Sequence, residues 1–180
     1  MVHWDDLGFV TNYAVDDDIE YPGDGQWGMP IHELATGRIL PTPGPVAIIR
    51  PTGGEPWVLA AGFIGVAGLY GTPDPNRLCA FERFGRVVLV DIRNPADQVE
   101  LAVHPVRIAA HVDRGLLLVC DWQSVTAIGA EGIRWKSAEL VRDDLHITRA
   151  RGDRIDYWGN SYSGVGAVRG SLDARTGTAA

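Results

Sequence analysis

Apolar residues in this chain come in short runs rather than in helical stripes. Leu116 to Cys120 is a continuous apolar run, Val125 to Ile128 is a second, and Gly129-Ala130-Glu131-Gly132 separates them from Ile133 and Trp135. Runs of this length bounded by glycine-marked turns predict central strands of a sheet, buried on both faces. The same pattern predicts strands at Val46 to Arg50, Leu78 to Phe81, Arg86 to Ile92, Val99 to Val103 and Val106 to Val112. Turns are expected at Pro51-Thr52-Gly53-Gly54, Phe84-Gly85 and Asn94-Pro95-Ala96-Asp97. His104-Pro105 marks a break, because proline cannot donate to a ladder.

Later in the chain, Leu145 to Ala150 alternates as a half-buried strand should, and Gly152-Asp153 reads as a hairpin turn leading to Ile155 and Tyr157. Ala167 to Ala174 predicts a last strand, and the polar end Arg175 to Ala180 is expected to fray. Trp57 to Tyr70 is less determinate. Its glycines at 62, 65 and 68 would line one helix face, yet each costs about 1 kcal/mol inside a helix, so a bent strand or a strand-turn-strand fits at least as well. Gly85 to Asp91, GRVVLVD, is echoed by Gly115 to Asp121, GLLLVCD, as a repeated strand unit would be. The fold class expected is mainly β: antiparallel sheets forming a sandwich, a barrel or a partial propeller, with an irregular acidic N-terminal segment.

Composition narrows this picture. With 180 residues, 46% hydrophobic and 22% charged, the chain is expected to form one domain over residues 1–180. Within it, residues 1–44 would be an acidic segment packed on a β body at 45–177. Residues 1–34 hold Asp5, Asp6, Asp16, Asp17, Asp18, Glu20, Asp24 and Glu33 and no Lys or Arg, so negative charge gathers at the front. Trp4, Phe9, Tyr13, Tyr21 and Trp27 are interleaved with it as anchors. The net charge of -7 argues against nonspecific contact with nucleic acid and leaves a basic protein as the expected partner. The start lacks a basic n-region, and no apolar run reaches membrane-spanning length, so neither export nor insertion is indicated and a cytoplasmic location is expected.

Chemistry-bearing motifs are sparse. Cys79 and Cys120 each sit among apolar residues and read as buried thiols, bridged only if their strands are neighbours. No CxxC, HExxH or HxH occurs, and Asp16-Asp17-Asp18 with Glu20 and Asp24 lacks the spacing of an EF-hand loop, so no metal or cofactor is expected. The glycines at 62, 65 and 68 match neither nucleotide-binding pattern. Asp91 and Asp121 each follow an apolar strand. They read as turn caps, or alternatively as the acid and base of a hydrolytic pair. Residues 156–164, DYWGNSYSG, combine Tyr157, Trp158 and Tyr162 with polar groups in a glycine-bounded loop, which is recognition-surface composition.

Residues 120–135, CDWQSVTAIGAEGIRW, resemble the blade pattern of quinoprotein-type propellers. An apolar strand and an aspartate precede a second strand carrying Val125 and Ala127, then Gly132 and Trp135 open the next. The resemblance implies that the glycine closes a turn and the tryptophan packs between blades. From Cys79 to Gly177 the layout also resembles a group of uncharacterised bacterial β-rich proteins, which implies a fold and no activity. The functional expectation is a non-enzymatic protein-binding or inhibitory protein, immunity-like, whose binding residues are Asp16, Asp17, Asp18, Glu20, Tyr157, Trp158 and Tyr162. The alternatives are a hydrolase acting on a carbohydrate or similar polar substrate through Asp91 and Asp121, and a structural component of a larger assembly.

Overall fold

The structure is a computed structural model that describes residues 3–17, 19–20, 22, 26–34, 46–60, 67–82 and 84–180. Two of the expectations fall outside them: the connection at 35–44 and the glycine-spaced stretch at 61–66, with Asp18 and Asp24 also undescribed. Among the described residues the protein is mainly β, with one short 3-10 turn at Val112–Arg114. The strands form four sheets, none of them closed into a barrel or curled into a propeller.

The chain divides into two compact units, the first holding Met1–Asp6, Val10–Gly71 and Pro75–Ala102, and the second Leu7–Phe9, Thr72–Asp74 and Val103–Ala180. The first unit contains β1 (His3–Asp5), β2 (Tyr13–Asp16), β3 (Ile31–Glu33), β4 (Val46–Pro51), β5 (Trp57–Ala60), β6 (Ala67–Gly71), β7 (Arg77–Glu82), β8 (Val87–Asp91) and β9 (Gln98–Leu101). One sheet is the antiparallel meander β6-β7-β8-β9 with β1 added parallel to β6, and the other runs β2-β4-β5-β3. Ile49, Trp57 and Leu59 of the second sheet share one buried cluster with Leu69, Leu78, Val88 and Val90 of the first, so this unit is sandwich-like.

The second unit contains β10 (Arg107–His111), β11 (Leu116–Cys120), β12 (Val125–Gly129), β13 (Gly132–Lys136), β14 (Asp143–Arg151), β15 (Arg154–Asn160) and β16 (Ala167–Asp173). Here β10 to β13 form one antiparallel meander and β14 to β16 another. Every residue of β11 and β12 is buried, as their unbroken apolar runs require. Leu118, Val125 and Trp135 pack with Leu145, Ile155, Tyr157 and Leu172 of the other meander.

The expected turns form where the sequence put them. Gly129 pairs with Gly132 and Arg151 with Arg154 across two-residue hairpins, the second with Gly152 at φ +60°. The Asp97 amide donates to the Asn94 carbonyl, closing the proline turn. Two expectations need correction. The front segment is not wholly irregular, because β1, β2 and β3 each pair with a strand of the β body. Nor does the C-terminus fray: the Asp173 amide donates to the Thr178 carbonyl, the Ala180 amide donates to the Ser171 carbonyl, and Gly177 sits against the Trp135 ring. Glycine is required there, since φ is +70° and a Cβ would lie 2.4 Å from the ring.

Each unit is tied by the same two devices. Asp91 Oδ1 accepts the amides of Arg93 and Asn94, Asp121 Oδ1 those of Gln123 and Ser124, and Asp173 Oδ1 those of Arg175 and Thr176. These are the same Asx turn three times over. In the first unit Trp57 Nε1 donates to the carbonyl of Ile92, the residue after Asp91, at 3.0 Å. In the second, Trp135 Nε1 donates to the carbonyl of Ala174, the residue after Asp173, at 2.9 Å.

Candidate functional site

The outward face of β14, β15 and β16 brings arginine, tryptophan and histidine side chains together. Strand alternation puts Ile155, Tyr157 and Leu172 into the core and leaves Arg154, Asp156 and Trp158 on the opposite face. Register then brings neighbours beside them: Arg151 opposite Arg154, Arg149 opposite Asp156, and His146 opposite Trp158. On the other side Ser171 lies opposite Asp156 and Arg169 opposite Trp158. A register irregularity between Ile147 and Arg149 leaves Thr148 as an extra residue, whose hydroxyl donates to the Asp156 carbonyl.

Two adjoining hollows run over this face. One, of about 630 Å³, is lined by Arg154, Asp156, Trp158, Arg169 and Ser171. The other, of about 450 Å³, is lined by Arg149, Arg151, Arg154 and Asp156. Asp156 accepts Arg154 Nε at 2.6 Å and the Ser171 hydroxyl at 2.8 Å. The bond from Arg154 and then that from Ser171 hold its carboxyl below the usual carboxylate range. Arg149, Arg151 and Arg169 are exposed and make no ion pair or side-chain hydrogen bond with any described residue.

Trp158 is flanked by its cross-strand neighbour His146. Its ring meets His146 edge-on, with centroids 5.3 Å apart. His146 Nε2 lies 3.1 Å from Asp144 Oδ1, and Arg107 Nη2 donates to the same oxygen at 2.9 Å. Burial raises the Asp144 carboxyl, but the Arg107 hydrogen bond and the charges of His146 and Arg107 outweigh it and hold the group low.

The sequence-predicted site residues fall into three places. Trp158 belongs to the face just described. Tyr157 turns inward, is buried, and crosses beneath Gly170, whose Cβ would lie 2.3 Å from the Tyr157 hydroxyl. Tyr162 is exposed in the turn between β15 and β16, where its hydroxyl donates to Glu139 at 3.1 Å. In the first unit, Asp16 pairs with Arg50 Nε at 2.8 Å and Asp17 accepts the Trp4 amide at 2.7 Å, while Glu20 is exposed. Asp91 and Asp121 belong to different sheets and different units, and each is taken up by its own turn. Asp121 additionally accepts the Ser124 hydroxyl and lies 3.8 Å from Lys136 Nζ.

Composition does not single out these arginines, because the chain as a whole is acidic, with a net charge of -7. Alternation puts positions 149, 151 and 154 on one face once the Gly152-Asp153 hairpin is assigned, whereas Arg169 joins them only through the pairing of β15 with β16.

Of the histidines, His111 is buried and its Nε2–H donates to the Gly152 carbonyl at 3.0 Å, while His32 stacks edge-on against Trp57. Among the described residues no three His, Cys, Asp or Glu side chains are placed to hold a metal ion. Cys79 and Cys120 are free and buried, on β7 and β11, and burial pushes each thiol up to about 12. No helix among the described residues is long and apolar enough to cross a membrane. Compared with known proteins, the chain matches no family model and no curated protein.

Proposed function

We propose that this is a non-enzymatic binding protein that engages a negatively charged protein partner through the outward face of β14, β15 and β16. The observation that carries the reading is the set of exposed arginines, Arg149, Arg151 and Arg169, left without ion pairs around Trp158. Arg154 is held by Asp156 and Arg149 lies across from that same carboxylate, whereas Arg151 faces Arg154, a like charge that costs stability. Trp and Arg are the residue types that dominate binding energy at protein interfaces. A guanidinium fork matches a carboxylate in two parallel hydrogen bonds.

In the acidic front, Asp16 is already paired with Arg50 and Asp17 accepts the Trp4 amide, so part of that charge is compensated within the fold. An inhibitory, immunity-like role remains within this reading, with the partner's active surface supplying the acidic groups. The test is capture from the native host's lysate at low and high salt, using the natural chain beside the Arg149→Gln/Arg151→Gln variant. A partner held by the natural chain, released by salt and not held by the variant is the expected result. Equal capture by both chains would remove this face from consideration.

A further inference from the structure

The charges on the β14 to β16 face are ordered in rows across the strands, and the rows select a shape of ligand. Reading along β15, the first row joins Arg151, Arg154 and Asp173, and the second joins Arg149, Asp156 and Ser171. The third joins His146, Trp158 and Arg169, and the fourth joins Asp143, Asn160 and Ala167. Successive rows are two residues apart, or about 6.7 Å. An extended peptide presents alternate side chains to one side at the same interval, so its register matches the rows without distortion.

The first two rows hold three guanidinium groups and two carboxylates: Asp156 is taken up by Arg154 and Ser171, and Asp173 by the amides of Arg175 and Thr176, which leaves Arg149 and Arg151. They are suited to receive carboxylates. The third row offers the ring of Trp158 beside Arg169, which suits an aromatic or apolar side chain with a cation alongside. In the fourth row Asp143 accepts the Asn160 side-chain amide and lies 3.8 Å from Arg142 Nε, so this end offers an acidic ligand no unclaimed cation.

A nucleic acid strand fits these rows less well. Its phosphates carry charge at every step, which would bring them against Asp156 and Asp143, and the whole chain bears a net charge of -7. A peptide can leave those positions neutral.

Resting on the binding reading above, we propose that the occupant of this face is an extended acidic segment of a partner protein. Its carboxylates at alternate positions lie on Arg149 and Arg151, and an aromatic side chain lies on Trp158.

The experiment is a fluorescence-anisotropy titration of the full chain at low and high salt. The probe is a labelled synthetic peptide with Glu at every second position and one Phe after the last Glu. A peptide with Gln in place of each Glu and a labelled single-stranded oligothymidylate serve as comparisons. The Glu peptide is expected to bind, about tenfold or more tightly than the Gln peptide, and to weaken at high salt. Arg149→Gln/Arg151→Gln should weaken it about tenfold or more, and Trp158→Ala several-fold. Equal affinity of the double variant for the Glu peptide would overturn the proposal, because the site would lie elsewhere. Tighter binding of the oligothymidylate, lost in the same variant, would replace the peptide by a nucleic acid. If neither probe binds while lysate capture still depends on Arg149 and Arg151, the acidic-peptide occupant fails and the binding reading stands. If capture does not depend on them, the binding reading fails as well.

Discussion

Trp57 and Trp135 do the same work at the residue scale. Each is buried, and each spends its one indole N–H on the carbonyl of the residue next to the aspartate of an Asx turn in the facing sheet. Replacing Trp135 by Phe keeps much of the packing but leaves the Ala174 carbonyl without that donor. The expected cost is about 1–3 kcal/mol, read as a lower urea midpoint at unchanged slope. The turn aspartates invite a parallel comparison. Asp121→Ala removes the acceptor of the Gln123 and Ser124 amides and should cost about 1–2 kcal/mol, whereas Asp121→Asn keeps a side-chain oxygen for them and should cost less. A hydrolytic role for Asp121 would show instead as lost turnover in the Asn variant with stability kept. The aspartates were legible in the sequence as strand-end residues. Only the amides they accept distinguish a turn cap from a cleft carboxylate.

At the scale of the element, β15 is the decisive strand. Its alternation divides one segment into a core face with Ile155 and Tyr157 and a solvent face with Arg154, Asp156 and Trp158. Tyr157 and Trp158 look equivalent in sequence, and a period of two sends them to opposite sides. The exposed side chains carry little of the stability. Arg149→Gln/Arg151→Gln is expected to change it by no more than about 0.5 kcal/mol, measured by thermal or urea unfolding, while changing ligand capture strongly. The register irregularity at Ile147 to Arg149 could not be foreseen from composition, because a bulge depends on how β14 is paired with β15. The hairpin at Gly152-Asp153 could, because glycine supplies the positive φ that the turn demands.

For the whole molecule, the two buried thiols tie stability to alkaline pH. Cys79 and Cys120 are pushed from 9.0 to about 12, first by burial, with the Asp121 charge adding to Cys120. Between those values the unfolded chain loses both thiol protons while the folded chain keeps them, so folding stability falls as pH rises above about 9. The slope is up to about 1.4 kcal/mol per pH unit for each thiol. Urea midpoints measured between neutral and strongly alkaline pH should show this decline, and Cys79→Ala/Cys120→Ala should flatten it. Native protein near neutrality should also resist thiol alkylation until unfolded.

The expectation of a mainly β chain held because runs of four to six apolar residues between Gly and Pro turns leave no other way to bury so many side chains. By itself the sequence determined most of the strands from β7 onward, most of their turns, the burial of β11 and β12 and the burial of the two cysteines. These are local matters of periodicity, backbone freedom and hydrophobicity. Tertiary structure decided which strands are neighbours, and so the division into four sheets and two units, the pairing of β1 and β3 in parallel, and the docking of the C-terminal residues on Trp135 and β16. It also decided the candidate site. Arg149, Arg151, Arg154 and Arg169 come from three strands, and only the inter-strand hydrogen-bond register sets them side by side around Trp158.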